Sequence, residues 1–147
     1  MKFGLPLLFC LCEMAFAREH VSTTYSMCKR SVEGHQQSII VAMETLSESK
    51  CKLLGKKKVD QYTNAGWKCL GHRGEESFSC ENKKANTFSL YNRHKLDHLT
   101  FTNLQKHRSL VAYLNPNSSK LCHEDRDALV SAGVTDAICH LADRSAR

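Results

Sequence analysis

The segment QQSIIVAMETLSESKCKLL, residues 36–54, carries regular apolar spacing near the middle of the chain. Its apolar side chains include Ile39, Ile40 and Met43, and steps of three and four residues are typical of one face of an α-helix. Gly55 follows, with lysines close by, as expected where a helix ends. The spacing therefore predicts a long helix over residues 36–54.

Similar spacing extends outward from this segment in both directions. A short helix is predicted after Tyr25, broken near Gly34, and Thr102 is a good N-cap for a later helix. Further helices are predicted over residues 56–70, 86–98, 103–114, 122–131 and 135–144. The expected fold class is all-α, a compact bundle of five or six short helices.

The N-terminal residues have the features of a secretory signal peptide. A basic start precedes an apolar run, and Ala15 and Ala17 form the small-x-small site that signal peptidase favours. Residues 1–17 are therefore expected to be removed, leaving one domain over residues 18–147. No later stretch approaches the ~20 apolar residues of a membrane span, so we expect a soluble, exported product.

The cysteines point to the same compartment. The chain has eight, of which Cys10 and Cys12 lie in the expected signal peptide. An even number remains, and in an oxidising compartment this predicts three disulfides with the pairing left open. The six cysteines are Cys28, Cys51, Cys69, Cys80, Cys122 and Cys139.

The 147-residue chain has a net charge of +6 and only two prolines and seven glycines, which argues against collagen-like and disordered classes. Its densest charge feature is a lysine cluster, for which we weigh two interpretations: binding of anionic lipid or sulfated glycan, and a solvated helix end. The cluster comprises Lys50, Lys52, Lys56, Lys57 and Lys58. Nucleic acid is not an expected partner of an exported protein, and a monomer is expected.

His94 and His98 are four residues apart, so on a helix their imidazoles would share one face and could bind one metal ion. Asp97 could add a ligand, with His107 or His123 completing the set. Copper is the expected metal, because imidazole ligands and the general affinity order both favour Cu(II). Chance spacing in a histidine-rich chain is the alternative explanation.

Motifs of known enzymes are absent from the sequence. Lys95 stands where a zinc protease of the H-E-x-x-H type needs its glutamate. Cys122-His123 and Cys139-His140 resemble catalytic dyads, but bridged cysteines cannot act as nucleophiles. We therefore expect no enzymatic activity. Asn117 begins an Asn-Ser-Ser sequon and is a candidate for N-glycosylation.

Two segments resemble the microplusin family of tick antimicrobial proteins: Cys69-Leu70 through Cys80, and Phe101-Thr102-Asn103 with Gln105. The resemblance covers residues 28–122 loosely. It implies a secreted, all-helical protein with six cysteines that sequesters copper or iron from microbes. The chain departs from the family in having no histidine-rich tail after its last cysteine.

Three functions remain as expectations from the sequence, the third being a secreted helical protein whose role depends on a partner that the sequence does not encode. The first is a secreted, non-enzymatic antimicrobial or defence effector that sequesters copper. The second is a secreted binding module that holds a lipid, a glycan or a host protein through its apolar interior or its basic surface.

Overall fold

The computed structural model describes residues 20–71, 77–84, 96–116 and 118–142. This part of the chain forms a seven-stranded antiparallel sheet with two helices, so the predicted all-α bundle is wrong. The strands are β1 His20–Val32, β2 His35–Thr45, β3 Lys68–Gly71, β4 Ser79–Lys84, β5 His98–Thr102, β6 Arg108–Tyr113 and β7 Ile138–His140. The helices are α1 Glu48–Asn64 and α2 Ser119–Ser131.

The sheet is built around the long β1–β2 hairpin, with strand order β3-β1-β2-β6-β5-β7. The free side of β1 is shared by two strands. Its N-terminal part pairs with β4 and its C-terminal part with β3, so β3 and β4 follow one another along the same edge. Neither helix of the described residues is long and apolar enough to cross a membrane.

The segment first interpreted as one helix is divided between β2 and α1. Within β2, Ile39, Val41 and Met43 face the helices, while Ile40 and Ala42 face the opposite side of the sheet. A strand that is covered on both faces has a continuous apolar run, which periodicity alone does not distinguish from a buried helix. The β-branched residues at the start of this run favour the strand.

Helix α1 begins later and ends later than predicted. Ser47 is its N-cap, and the Ser47 Oγ accepts a hydrogen bond of 3.2 Å from a backbone N–H of the first turn. The helix continues through Gly55, which is not a stop, because Gly55 is where α1 packs closely on the sheet. A Cβ at this position would lie 2.7 Å from the Phe78 ring and 2.9 Å from the Thr24 methyl group.

The helix predicted over residues 56–70 is wrong as a separate helix, because these residues form the end of α1 and then β3. Most of the helix predicted over residues 86–98 lies outside the described residues. The other predicted helices have different outcomes. The helix over residues 122–131 is confirmed as part of α2. Residues 103–114 instead form a turn and β6, with Thr102 paired to Arg108 in the sheet rather than capping a helix. Residues 135–144 include the short strand β7. The predicted helix after Tyr25 is β1, and the break near Gly34 is the turn of the β1–β2 hairpin.

The prediction of three disulfides is confirmed. Each bond joins a peripheral element to a neighbour: β1 to β3, α1 to β4, and α2 to β7. The pairs are Cys28–Cys69, Cys51–Cys80 and Cys122–Cys139. Both helices are therefore covalently attached to the edges of the sheet, which determines where the space between them lies.

The larger apolar core lies between the sheet and the two helices, on the face we call the inner face. A smaller cluster of Ala42, Leu110 and Ala112 lies on the opposite, outer face. The expected signal peptide, His94 and Asn117 lie outside the described residues.

Candidate functional site

A cleft lies between α1 and α2 above the inner face of the sheet. Helix α1 packs on β1 to β4 and α2 packs on β5 and β7, so the two helices cover different parts of the sheet. The space between them is about 590 Å³, within the usual range for a small-molecule site. Its floor is apolar and comes from β2, β5 and β6: Ile39, Leu99, Phe101 and Val111.

The walls of the cleft come from facing turns of the two helices. Leu54, Lys57 and Lys58 of α1 line one side. Leu121, Asp125, Ala128 and Leu129 of α2 line the other side. The disulfides of α1 and α2 hold these walls in place, and the apolar side chains on them continue the character of the floor.

Lys57 and Lys58 bring two positive charges to the α1 side of the cleft. Lys57 is exposed, whereas Lys58 is partly buried, with its Nζ 4.8 Å from the centroid of the Phe101 ring. Burial lowers the pKa of Lys58 to about 8. A cation over an aromatic face is attracted by the ring quadrupole, so the ammonium keeps a favourable contact there.

Asp125 is an acidic residue of α2 that lines the cleft. Its Oδ2 accepts a hydrogen bond of 2.7 Å from the Tyr113 hydroxyl. Burial raises the pKa of Asp125, while the Tyr113 hydrogen bond and the Arg30 charge lower it. Burial also raises the pKa of both Tyr113 and Tyr62, so each remains a neutral phenol. The carboxylate of Asp125 therefore has a hydrogen-bond partner on β6.

Trp67, Tyr62 and Arg30 form a further part of the cleft lining. The Arg30 guanidinium lies 4.3 Å from the centroid of the Trp67 ring, and its Nε donates a 2.8 Å hydrogen bond to Gln37. Tyr62 meets the same indole edge-on, with centroids 6.0 Å apart. The single tryptophan of the chain is thus 7% exposed and lines the cleft.

The predicted lysine cluster lies entirely on α1, but the helix divides it. Lys57 and Lys58 line the cleft. Lys50, Lys52 and Lys56 are exposed, and Lys52 lies 3.7 Å from Glu48 one turn earlier. The cluster is therefore a helix surface with two members at a cavity rather than one continuous basic patch.

The predicted metal ligands lie in a different environment from the one expected. His98 is the first residue of β5, so the helical face that was to pair it with His94 does not include it. The His98 Nδ1 lies 2.9 Å from the Leu96 carbonyl oxygen, and its ring stacks on His140 with centroids 4.7 Å apart. Asp97 is 2% exposed.

Two hydrogen-bond donors contact the Asp97 carboxylate. Its Oδ2 accepts from the Ser118 hydroxyl at 2.6 Å and its Oδ1 from the Ala142 N–H at 2.7 Å. A metal ion at Asp97 would displace these internal bonds. Within the ranges that the structure describes, no three His, Cys, Asp or Glu side chains are grouped so as to hold a metal ion.

The sequence interpretation did not identify Arg30, Trp67, Phe101 or Asp125 as members of one site. These residues lie on four different elements or loops, and a helical interpretation separates them. The signal that could have brought Arg30 and Gln37 together is the Glu33-Gly34 dipeptide, a two-residue connection of the length typical of a hairpin turn.

Comparisons of the chain with family models, with curated proteins and with solved structures give no match.

Proposed function

We propose that this chain is a secreted, non-enzymatic binding module that holds a small amphiphilic anion in the cleft between α1 and α2. The observation that carries the proposal is the combination of an apolar floor with two lysines on one wall. An alkyl chain would lie on the floor and a carboxylate or phosphate would meet Lys57 and Lys58.

The apolar part of the ligand follows from the floor. Leu99 is 1% exposed, Ile39 2% and Phe101 8%, so core packing holds these side chains fixed beneath the cleft. An alkyl chain placed on this surface would leave water at little conformational cost to the protein.

The anionic part follows from the charges. Asp125 is partnered by Tyr113, while Lys58 is desolvated and faces an aromatic ring. An anion close to Lys58 would favour the charged ammonium and offset the cost of burying it. We therefore expect anionic amphiphiles to bind and cationic ones of the same length to bind poorly.

Two further features support a secreted and non-catalytic role. The three disulfides are typical of an oxidising compartment. The cysteines next to His123 and His140 are both in the Cys122–Cys139 bond, so neither Cys-His pair has a thiolate. Copper sequestration has less support, because Asp97 and His98 are buried in internal contacts.

Titration of the mature protein with laurate, followed by Trp67 fluorescence, tests the proposal. We expect saturable binding of laurate and much weaker binding of dodecylamine, which has the same chain length and the opposite charge. Lys57→Gln with Lys58→Gln should lower laurate affinity about tenfold, because two charge-assisted contacts are lost.

A control variant and a second test variant accompany this titration. Lys56→Gln removes an exposed charge from the same helix, outside the cleft lining, and should leave laurate affinity unchanged. Ala128→Phe adds a ring to the α2 wall and should lower affinity without altering charge. Equal binding of laurate and dodecylamine, or a Lys57/Lys58 variant that binds like the unmodified protein, would contradict the proposal.

A further inference from the structure

The outer face of the sheet has a groove of its own, separate from the cleft between the helices. It is about 850 Å³ in volume and lies over β1 and β3 and the adjoining part of β2. Leu70 pairs with Met27, which pairs in turn with Ile40, so these apolar side chains form a row across three strands. All three line the groove.

A basic row lies beside the apolar row. Lys68 of β3 and Lys29 of β1 are directly paired in the antiparallel register, and both line the groove. Like charges at directly opposed positions destabilise a sheet. Arg30 also reaches the groove, but its guanidinium lies over the Trp67 ring. Among the described residues that line the groove there is no aspartate or glutamate, so an external anion is the complement that Lys29 and Lys68 lack.

Two residues of the apolar row are exposed to solvent. Met27 is 40% exposed and Leu70 60%. Exposed aliphatic side chains next to lysines are typical of surfaces that lie in the headgroup region of an anionic membrane, where the aliphatic groups reach the acyl boundary. A sulfated glycan would satisfy the lysines but would leave Met27 and Leu70 without an apolar contact.

We propose that Met27, Leu70, Ile40, Lys29 and Lys68 form a docking surface for an anionic lipid membrane. In this arrangement Lys29 and Lys68 contact lipid phosphates, and Met27 and Leu70 insert between headgroups. The surface lies on the opposite side of the sheet from the cleft, so its function does not depend on the ligand proposed for the cleft.

Cosedimentation of the mature protein with lipid vesicles tests this proposal. We expect binding to phosphatidylcholine vesicles that contain phosphatidylserine, little binding to phosphatidylcholine alone, and loss of binding as salt is raised. Lys29→Glu with Lys68→Glu should lower vesicle affinity about 30-fold, since each lysine near the surface contributes independently. Met27→Ser with Leu70→Ser should also lower it, at unchanged net charge.

The matched control is Lys56→Glu with Lys120→Glu, which changes the net charge equally at exposed positions of α1 and α2. It should retain most of the vesicle binding. Circular dichroism and the free energy of unfolding in urea check that each variant is folded. The proposal is overturned if the control loses as much binding as the Lys29/Lys68 variant, if the Met27/Leu70 variant binds fully, or if the protein binds heparin but neither type of vesicle.

Discussion

Lys58 lies on the sheet-facing side of α1, where its Nζ contacts the Phe101 ring rather than a carboxylate. Burial disfavours the charged form and lowers its pKa from 10.5 to about 8. The group is therefore still protonated near pH 7, but its charge is retained at a cost to the folded state. This is the type of conflict between packing and charge that marks ligand sites.

The free-energy cost of burying the charged Lys58 ammonium depends on pH. Above the unfolded pKa, Lys58 is neutral in both states and contributes nothing, while below pH 8 it is charged in both and the full cost applies. We predict that Lys58→Met raises the free energy of unfolding near pH 7 and that this gain fades as pH rises from 8 to 10.5. Urea unfolding across this range measures it, with Lys56→Met correcting for loss of a surface charge. A gain of constant size at all pH values would refute the prediction.

At the scale of elements, the contact of α1 with β1 depends on Gly55. Glycine inside a helix is normally unfavourable by about 1 kcal/mol relative to alanine. Here Gly55 is buried, and the space that a Cβ would take is occupied by Phe78 and Thr24. Glycine is a poor helix former, but its lack of a side chain allows the axis of α1 to approach the sheet.

We predict that Gly55→Ala destabilises the protein by about 1–2 kcal/mol, against the gain expected from helix propensity, because Phe78 or α1 must move. Thermal or urea unfolding measures the change. Thr63→Ala, at an exposed position of the same helix, should be neutral or stabilising. If Gly55→Ala stabilises the protein as Thr63→Ala does, the close approach is not a packing constraint.

The elements also differ in how far their sequences could predict them. Helix α2 was predicted because it lies at the periphery, with Cys122 as its buried residue and most other positions exposed or half-buried. β2 was mistaken for a helix because helices cover one of its faces and a second apolar cluster covers the other. Its period-2 pattern is therefore hidden, and apart from its β-branched residues, its pairing with β1 and β6 is what distinguishes it.

At the scale of the whole molecule, Asp97 joins three segments of the C-terminal half. It directly precedes β5 and binds the Ser118 hydroxyl at the start of α2 and the Ala142 N–H beyond β7. The Cys122–Cys139 bond also joins α2 to β7. One carboxylate and one disulfide together therefore hold β5, α2 and β7 in position.

We predict that Asp97→Asn destabilises the protein by about 2 kcal/mol or more, because its amide would oppose one of two donors with a donor of its own. The unfolding free energy measures this, with exposed Asp60→Asn as the control. In the alternative role as a metal ligand, Asp97→Asn would weaken copper binding, and calorimetric titration of both variants distinguishes the two roles. An unchanged stability would contradict the structural role.

Lys57 and Lys58 could be singled out from the sequence, because a local concentration of lysines can be read directly from the chain. The even number of cysteines after residue 17 can be read in the same way. The cleft residues from other elements could not be identified in this way. Phe101 and Asp125 reach the cleft through β5 and α2, which lie more than forty residues further along the chain. The pairing of Lys29 with Lys68 likewise depends on the β1–β3 register.

The chain alone was sufficient to infer a basic, cysteine-bridged domain and the position of α2, because composition, cysteine number and local periodicity are properties of nearby residues. The sheet, the disulfide pairing and both proposed binding surfaces required the folded structure. The reason is that strand pairing depends on contacts between distant residues, and a strand buried on both faces has no local pattern that separates it from a helix.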